Sequence, residues 1–177
     1  MEVLGKSRPL VIWITGLPGS GKTTLARNLK IHLKSRGLEV IHLDGDQLRV
    51  ALNAETVLDL EGRKSLANSY QKLSKLLSDQ GFIIVVSTVS LFSEVFTKNR
   101  EMFSNYFEVF LNVDQNLLES GPRRMQYAEP KNVYTKNILP EFPSNPDLTL
   151  LAKDSCDRNQ WLEIAISKVN ILLDKNV

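Results

Sequence analysis

The feature that most constrains this chain is a glycine-rich stretch near its N-terminus, residues 16–23, which reads GLPGSGKT. It matches the phosphate-binding pattern G-x-x-x-x-G-K-[ST] at every fixed position. An almost unbroken apolar segment, 10–15, precedes it, and apolar residues at helical spacing follow it. A buried strand, a loop and a helix are therefore predicted in that order. The glycines let the backbone bend around a polyphosphate and direct its N–H groups towards it, so the stretch predicts a nucleoside triphosphate site.

The residues of this stretch divide into separate predicted roles. Lys22 can reach the β- and γ-phosphates, which makes it a predicted catalytic residue, and Thr23 offers its hydroxyl to Mg²⁺ as a predicted metal ligand. ATP and Mg²⁺ are therefore the predicted cofactors. The predicted ATP-binding residues of the loop and the following helix are Gly16, Leu17, Pro18, Gly19, Ser20, Gly21, Lys22, Thr23 and Thr24.

Length and composition limit the remaining possibilities. The 177 residues, 42% of them hydrophobic and 24% charged, suit one globular domain, and we expect a single domain over 1–177. The net charge of +2, with both signs scattered, gives no reason to expect nucleic-acid binding. Cys156 is the only cysteine, which excludes an internal disulfide. No apolar run approaches the roughly 20 residues that span a bilayer, so we expect no membrane partner and a cytoplasmic location.

Apolar segments alternate with segments of helical period along the whole chain. Together they predict an α/β fold of the P-loop NTPase kind, with a five-stranded parallel sheet, helices on both faces and right-handed crossovers. The irregular region 120–146, which holds five of the seven prolines, is predicted to be a lid. The predicted strands are 10–15, 38–43, 82–87, 106–113 and 148–151. The predicted helices are 22–35, 47–52, a long helix that Gly81 closes, 93–104, 115–119 and 159–173. The long helix is periodic from Arg63, and 53–62 is predicted to hold a loop and the start of this helix.

Two carboxylates follow directly after the second predicted strand. Ligands of parallel sheets bind beyond the carboxyl ends of the strands, so Asp44 and Asp46 are predicted to face the phosphate loop. Phosphoryl transfer needs a carboxylate that orients or deprotonates the attacking hydroxyl, and Asp44 is the better catalytic candidate. Asp46 is predicted either to contact the substrate or to cap the next helix, and Asp44 alternatively to be a turn residue before Gly45.

Several arginines are candidates for binding phosphate groups, because a guanidinium binds them bidentately. Arg49 lies three residues after Asp46 on the short helix, and Arg63 opens the long one. Arg100 is either an acceptor ligand or a solvated charge. Arg124, with its neighbour Arg123, is predicted to close over the γ-phosphate or to be an exposed loop charge.

Ser87 and two histidines complete the polar candidates. Ser87 ends the third predicted strand, where it could bind a metal-bound water or substrate, or cap the next segment. His32 lies among the apolar positions of the first helix and His42 lies in a strand. Both histidines are predicted to be structural, because neither has the spacing of a metal site.

Segments 13–26 and 43–49 together resemble the adenylylsulfate (APS) kinase family, and the resemblance extends over nearly the whole chain, including Arg63, Gln80-Gly81, Arg100 and 145–148. That family phosphorylates the ribose 3′-hydroxyl of adenosine 5′-phosphosulfate with MgATP. The resemblance implies that Asp44 is the acceptor-hydroxyl carboxylate, and that Arg49 and Arg63 hold the charged end of a small-molecule nucleotide substrate. It also implies a homodimer as a candidate assembly.

The chain departs from that family where the purine of APS would bind. Residues 66–69 replace the family's Asn-Ile-Arg-Arg, 88–93 replace its Phe-Ile-Ser-Pro-Tyr-Arg, and 121–127 replace the start of its lid. Val133 stands in the stretch whose Phe helps to sandwich adenine, and losing such stacking removes about 1–3 kcal/mol. These departures predict a ribose-hydroxyl kinase for another nucleotide. Segments 87–92 and 131–133 resemble the capsule-decoration branch that phosphorylates cytidine diphosphoramidate, which makes Val133 a predicted substrate-binding residue.

Three other functions remain as alternatives. The chain could be an APS kinase proper that tolerates these changes. It could be a nucleotide-binding switch, although it lacks the Asn-Lys-x-Asp motif with which GTPases read guanine. It could also be an inactive family member, against which the intact Lys22, Thr23 and Asp44 argue.

Overall fold

The computed structural model describes residues 9–56, 59–120, 138–153 and 160–174. Within these ranges it has five strands and six helices, in the alternating order that the sequence predicts. The strands are β1 Val11–Gly16, β2 Val40–Asp44, β3 Ile83–Ser87, β4 Tyr106–Val113 and β5 Leu148–Ala152. The helices are α1 Lys22–Ser35, α2 Gly45–Ala51, α3 Leu60–Asp79, α4 Ser93–Met102, α5 Gln115–Ser120 and α6 Trp161–Asp174.

The five strands form one parallel sheet in the order β2-β3-β1-β4-β5. This confirms the predicted α/β fold with a parallel sheet. In the register of the sheet, Ser87 at the end of β3 lies opposite Asp44 on one side and Ile14 on the other. The carboxyl ends of β1, β2 and β3 therefore meet at one edge, beside the loop that follows Gly16.

The central strands β1 and β3 are buried on both faces, as their continuous apolar sequences predict, whereas the edge strand β5 exposes Thr149 and Leu151. All six residues of β1 are buried, and its side chains alternate between two hydrophobic clusters. Ile12 packs in the cluster that includes α1 and α6, whereas Trp13 packs in the cluster that includes α3 and α4. None of the helices in the described ranges is long and apolar enough to cross a membrane.

An aspartate cap fixes the start of two helices, and the predicted start of α2 at Gln47 is wrong. Helix α2 begins at Gly45, and its N-cap is Asp44 rather than the expected Asp46. Helix α3 begins at Leu60, within the stretch 53–62 that was predicted to hold the start of this helix, and the Asp59 carboxylate accepts a hydrogen bond of 2.8 Å from the Gly62 N–H. A side-chain oxygen that satisfies these first N–H groups fixes where a helix can begin.

Arg100 belongs to a polar network around the buried side chain of Glu108. Its guanidinium lies 2.8 Å from Glu108 Oε2, 2.9 Å from the Asn145 carbonyl oxygen and 3.3 Å from Asp147 Oδ2. Glu108 is only 1% exposed, and its burial raises the pKa of its carboxyl, an effect that Arg100 opposes. The network lies where β4 and β5 begin, at the opposite edge of the sheet from the loop. Arg100 therefore joins α4 to this edge of the sheet through its ion pairs, while its side chain stays 39% exposed to solvent.

We expect Arg100→Met to reduce the free energy of unfolding by about 2 kcal/mol, because it leaves the buried Glu108 carboxylate without its cation. The matched control is Lys98→Met on the same helix, since Lys98 contacts only the exposed Asn68 side chain among the contacts described. Urea unfolding of both variants measures the difference. Equal midpoints for the two variants would show that the network does not stabilise the fold.

Candidate active site

The loop between β1 and α1 has a backbone conformation that only glycine adopts readily. Gly16, Gly19 and Gly21 have φ angles of 151°, 76° and 102°, in a region that L side chains rarely occupy. A Cβ on Gly16 would also lie 2.7 Å from the Leu111 carbonyl oxygen. Successive backbone N–H groups in such a loop form an anion-binding concavity in front of a helix N-terminus. The backbone of the loop therefore fits a polyphosphate.

Lys22 supplies the positive charge of this loop. It is the first residue of α1 and is only 8% exposed. Its ammonium folds back onto the loop and donates to the Leu17 carbonyl oxygen at 2.7 Å and to Ser20 Oγ at 3.4 Å. The cation is therefore held beside the backbone that would surround a phosphate group.

Asp44 connects the elements that surround the loop. Its carboxylate is 6% exposed, and its Oδ2 accepts hydrogen bonds from Thr23 Oγ1 at 2.7 Å and Ser87 Oγ at 2.8 Å. Its Oδ1 accepts from the backbone N–H groups of Asp46 and Gln47 at 3.1 and 3.4 Å. One side chain thereby joins the start of α1, the end of β3 and the first turn of α2.

These hydrogen bonds decide the charge of Asp44. Burial by itself would raise the pKa of this carboxyl, but the bonds from Thr23, Ser87 and the two backbone N–H groups outweigh it and lower the pKa below its usual value. Asp44 is therefore ionised at neutral pH. The Thr23 hydroxyl donates its proton to this carboxylate and keeps its oxygen lone pairs, so the pair fits a hard cation such as Mg²⁺.

A second group of charges lies on α2 and α3 next to Asp44. Arg49 forms an ion pair with Asp46 one turn away on α2, and the Asp46 side chain is 63% exposed. The Tyr70 hydroxyl lies 3.5 Å from the Gly45 carbonyl oxygen. Asp46 and Arg49, the predicted acceptor-binding residues of α2, therefore lie on the helix that Asp44 caps.

Tyr70 also shows that Arg63 belongs to this group. Burial raises the pKa of the Tyr70 hydroxyl most, and the charges of Arg49 and Arg63 oppose that rise while those of Asp46 and Asp44 add to it. All four charged side chains are therefore within electrostatic range of one hydroxyl. The sequence predicted each of these four residues for the site, and their roles there stay a prediction.

Some predicted residues are not tested by these contacts. Arg124, its neighbour Arg123, and Val133 lie outside the described residues, as does most of the predicted lid region 120–146. Ser87 is at the site, where it binds Asp44 directly.

Three residues with contacts at the site were not predicted to belong to it. His42 was expected to be structural, but its Nε2 lies 2.8 Å from Ser87 Oγ. Its spacing of two residues from Asp44 on a strand was the available signal, because such residues share a face. Tyr70 and Trp161 were recognised only as apolar helix positions. The Trp161 ring lies 3.8 Å from where a Cβ on Gly21 would stand, so α6 supports the loop.

The strand, glycine loop and helix, with a buried lysine in the loop and an ionised carboxylate beside its threonine, define a nucleotide-binding protein of the P-loop class. Residues 8–150 match the family model described as adenylylsulphate kinase. The chain is 35% identical to the cytidine diphosphoramidate kinase of Campylobacter jejuni over 93% of this chain and 98% of that protein. It is 32% identical to a probable adenylyl-sulfate kinase of Halalkalibacterium halodurans over 96% and 82%.

Comparison with a solved structure points to the same family. The Mycobacterium tuberculosis APS kinase CysC, in complex with AMPPNP and APS, is similar to this chain with a TM-score of 0.77 and 28% identity, over 91% of this chain and 98% of that one. The chain therefore belongs to the adenylylsulphate (APS) kinase family. It is an ATP-dependent small-molecule kinase.

We expect Gly16→Ala to destabilise the fold by about 2–4 kcal/mol, because the added Cβ meets a backbone oxygen and the φ of 151° strains an alanine. Gly37→Ala is the matched control. Its φ of 77° is also positive, but a Cβ there meets nothing within 4 Å, so we expect a loss of about 1 kcal/mol. Thermal unfolding compares the two variants, and an equal loss would contradict a close-packed loop.

Proposed function

We propose that the chain transfers the γ-phosphate of ATP to the ribose 3′-hydroxyl of a nucleotide other than APS, with cytidine diphosphoramidate as the best candidate. The observation that carries the proposal is the Asp44 carboxylate, which is buried at the carboxyl end of β2 and bonded to both Thr23 and Ser87. It lies between the phosphate loop and the charges of α2, where donor and acceptor would meet.

Asp44 acts in this proposal by orienting the acceptor hydroxyl. Its lowered pKa keeps the carboxylate ionised and makes it a weak base, so positioning is its main contribution. Phosphoryl transfer through a loose transition state depends chiefly on positioning and on charge stabilisation. A carboxylate held by four hydrogen bonds meets the first of these requirements.

Lys22 and Thr23 provide the donor side. The Lys22 ammonium would exchange its contact with the Leu17 carbonyl oxygen for phosphate oxygens, and the loop backbone would hold the same phosphates. Thr23 would bind Mg²⁺ through its hydroxyl oxygen while donating to Asp44. When bound, the metal ion neutralises charge on the phosphate oxygens. We also assign Arg124 to the ATP phosphates.

The acceptor side consists of Arg49, Arg63 and Asp46 in this proposal. The two guanidinium groups would bind the anionic end of the acceptor, and the ion pair with Asp46 would hold Arg49 in place. Val133 would contact the base.

The choice of acceptor is supported by the segment after β3. Thr88 stands at a position where the APS kinases that this chain resembles have Phe. Its side chain is buried, and its Oγ1 lies 2.9 Å from Ser90 Oγ. Leu91 and Phe92 point into the core, at 0% and 1% exposure. Ser93 stands in place of an arginine and is bonded to Glu141. This segment therefore lacks the Phe and the Arg of the resembled APS kinases, and the Thr88 and Ser93 hydroxyls that stand in their places have other partners, which supports a different acceptor.

APS itself is the second candidate acceptor. The match to the adenylylsulphate kinase family model and the 32% identity to a probable adenylyl-sulfate kinase favour it. The two candidates share the donor side and Asp44, so only the acceptor distinguishes them.

Side-by-side turnover of the two acceptors tests the choice. With Mg–ATP in excess, we expect kcat/KM for cytidine diphosphoramidate to exceed that for APS by about tenfold or more, since a site lacking an aromatic platform loses stacking energy on adenine. Phosphorus NMR of the 3′-phosphorylated product and release of ADP measure both reactions. Two further acceptors serve as controls: cytidine diphosphate, which lacks the amidate group, and adenosine monophosphate, which lacks the sulfate group. A higher kcat/KM for APS would refute the divergent acceptor.

Asp44→Asn is expected to lower acceptor-dependent kcat by about 10²–10³, because the amide loses the charge that orients the hydroxyl. The unfolding free energy should fall by only about 1 kcal/mol from the weaker cap, and ATP should still bind. Asp79→Asn, at the exposed end of α3, is the control for a lost carboxylate. Steady-state kinetics measure the effect. Turnover of Asp44→Asn within about threefold of the unaltered chain would remove Asp44 from its proposed role.

A further inference from the structure

His42 extends the hydrogen-bond system of Asp44 by one more side chain. It lies two residues before Asp44 on β2, and the two side chains share a face of the strand. Its Nε2 is 2.8 Å from Ser87 Oγ, and Ser87 Oγ is 2.8 Å from Asp44 Oδ2. Ser87 is 3% exposed, so its hydroxyl is nearly removed from solvent. The three residues form a continuous chain from the imidazole to the carboxylate.

The protons of this chain have only one consistent arrangement. An ionised carboxylate accepts but cannot donate, so the single hydroxyl proton of Ser87 is directed at Asp44. The Ser87 oxygen must then accept from His42, which requires a proton on Nε2 of the ring. In the other tautomer, Nε2 would compete with Asp44 for the Ser87 proton, and Oδ2 would lose one of its two hydrogen bonds.

The surroundings of His42 agree with a neutral ring that carries one proton. Burial lowers the pKa of His42 most, the nearby charge of Asp44 opposes this, and Lys30 and Arg27 from α1 lower it further. The neighbour on β3 is the uncharged Ser87. At neutral pH the ring therefore has one N–H, and the Ser87 contact determines which nitrogen holds it.

We propose that His42 is a positioning residue for phosphoryl transfer, whose Nε2–H fixes the Ser87 hydroxyl as a donor to Asp44 Oδ2. Through this contact it sets the direction in which the carboxylate meets the acceptor hydroxyl. The inference rests on the role of Asp44 proposed above. A residue two contacts away from the reacting atoms can act in this way because catalytic geometry tolerates little displacement.

Two substitutions at His42 separate positioning from simple packing. His42→Leu fills similar space without a donor, and we expect it to lower kcat about tenfold while KM for ATP stays within about twofold. His42→Gln keeps an N–H donor at a similar reach and cannot titrate, so it should recover kcat to within about threefold of the unaltered chain. The control is His32→Leu, at the other histidine of the chain, which lies on α1 and should leave kcat within about twofold.

A second measurement does not depend on turnover. Nitrogen NMR of the unaltered protein should show His42 as the Nε2–H tautomer at pH 7.5. Finding the Nδ1–H tautomer in the unaltered protein would overturn the inference, even if the leucine variant failed to fold.

The outcomes distinguish this inference from the proposed function. If Asp44→Asn is inactive but His42→Leu keeps normal kcat, only the inference about His42 fails. If Asp44→Asn keeps full acceptor-dependent turnover, the proposed role of Asp44 fails whatever the histidine variants do. Loss of kcat in His42→Leu with recovery in His42→Gln supports both.

Discussion

The site depends on the hydrogen bonds that converge on one buried carboxylate. Asp44 joins the threonine at the start of α1, the serine at the end of β3 and the first N–H groups of α2. Helix α2 follows Asp44 directly, but the start of α1 and the end of β3 reach it only through the order of the parallel sheet, so the fold brings these donors together. The same four bonds keep the carboxylate ionised and restrict its direction. The hydrogen bonds that link these elements are therefore the same ones that set the charge and direction of the Asp44 carboxylate.

The lowered pKa of Asp44 also links the site to the stability of the fold. A carboxyl whose pKa is lower in the folded than in the unfolded chain stabilises the fold above its ordinary pKa, and this contribution is lost as the pH falls through the lowered value. His42 has a lowered pKa as well, and its effect has the same sign: as the pH falls below the ordinary value, the unfolded chain takes up a proton before the folded chain does, which disfavours the fold. Both groups therefore make neutral pH more favourable to the fold than mildly acidic pH.

Much of the fold was predictable, because the spacing of apolar residues determines the strands and helices and the positions of the glycines determine the phosphate loop. The bounds of α1 and β4 agree with the prediction, and the phosphate loop was evident from its pattern alone. The start of α2 was not, since it depends on which aspartate reaches the first N–H groups. The contacts of Arg100 and His42 were not predicted, for a related reason. Their partners Glu108 and Ser87 lie on other elements, and sequence spacing does not reveal such contacts.

The most direct test is a crystal structure of the chain with a non-hydrolysable ATP analogue, Mg²⁺ and cytidine diphosphoramidate bound together. The central claim is that Asp44 orients the acceptor hydroxyl towards the phosphate held by the loop. It predicts the ribose 3′-hydroxyl within hydrogen-bond distance of the Asp44 carboxylate, with the terminal phosphate facing it. A 3′-hydroxyl bound elsewhere, with Asp44 directed into solvent, would contradict the account.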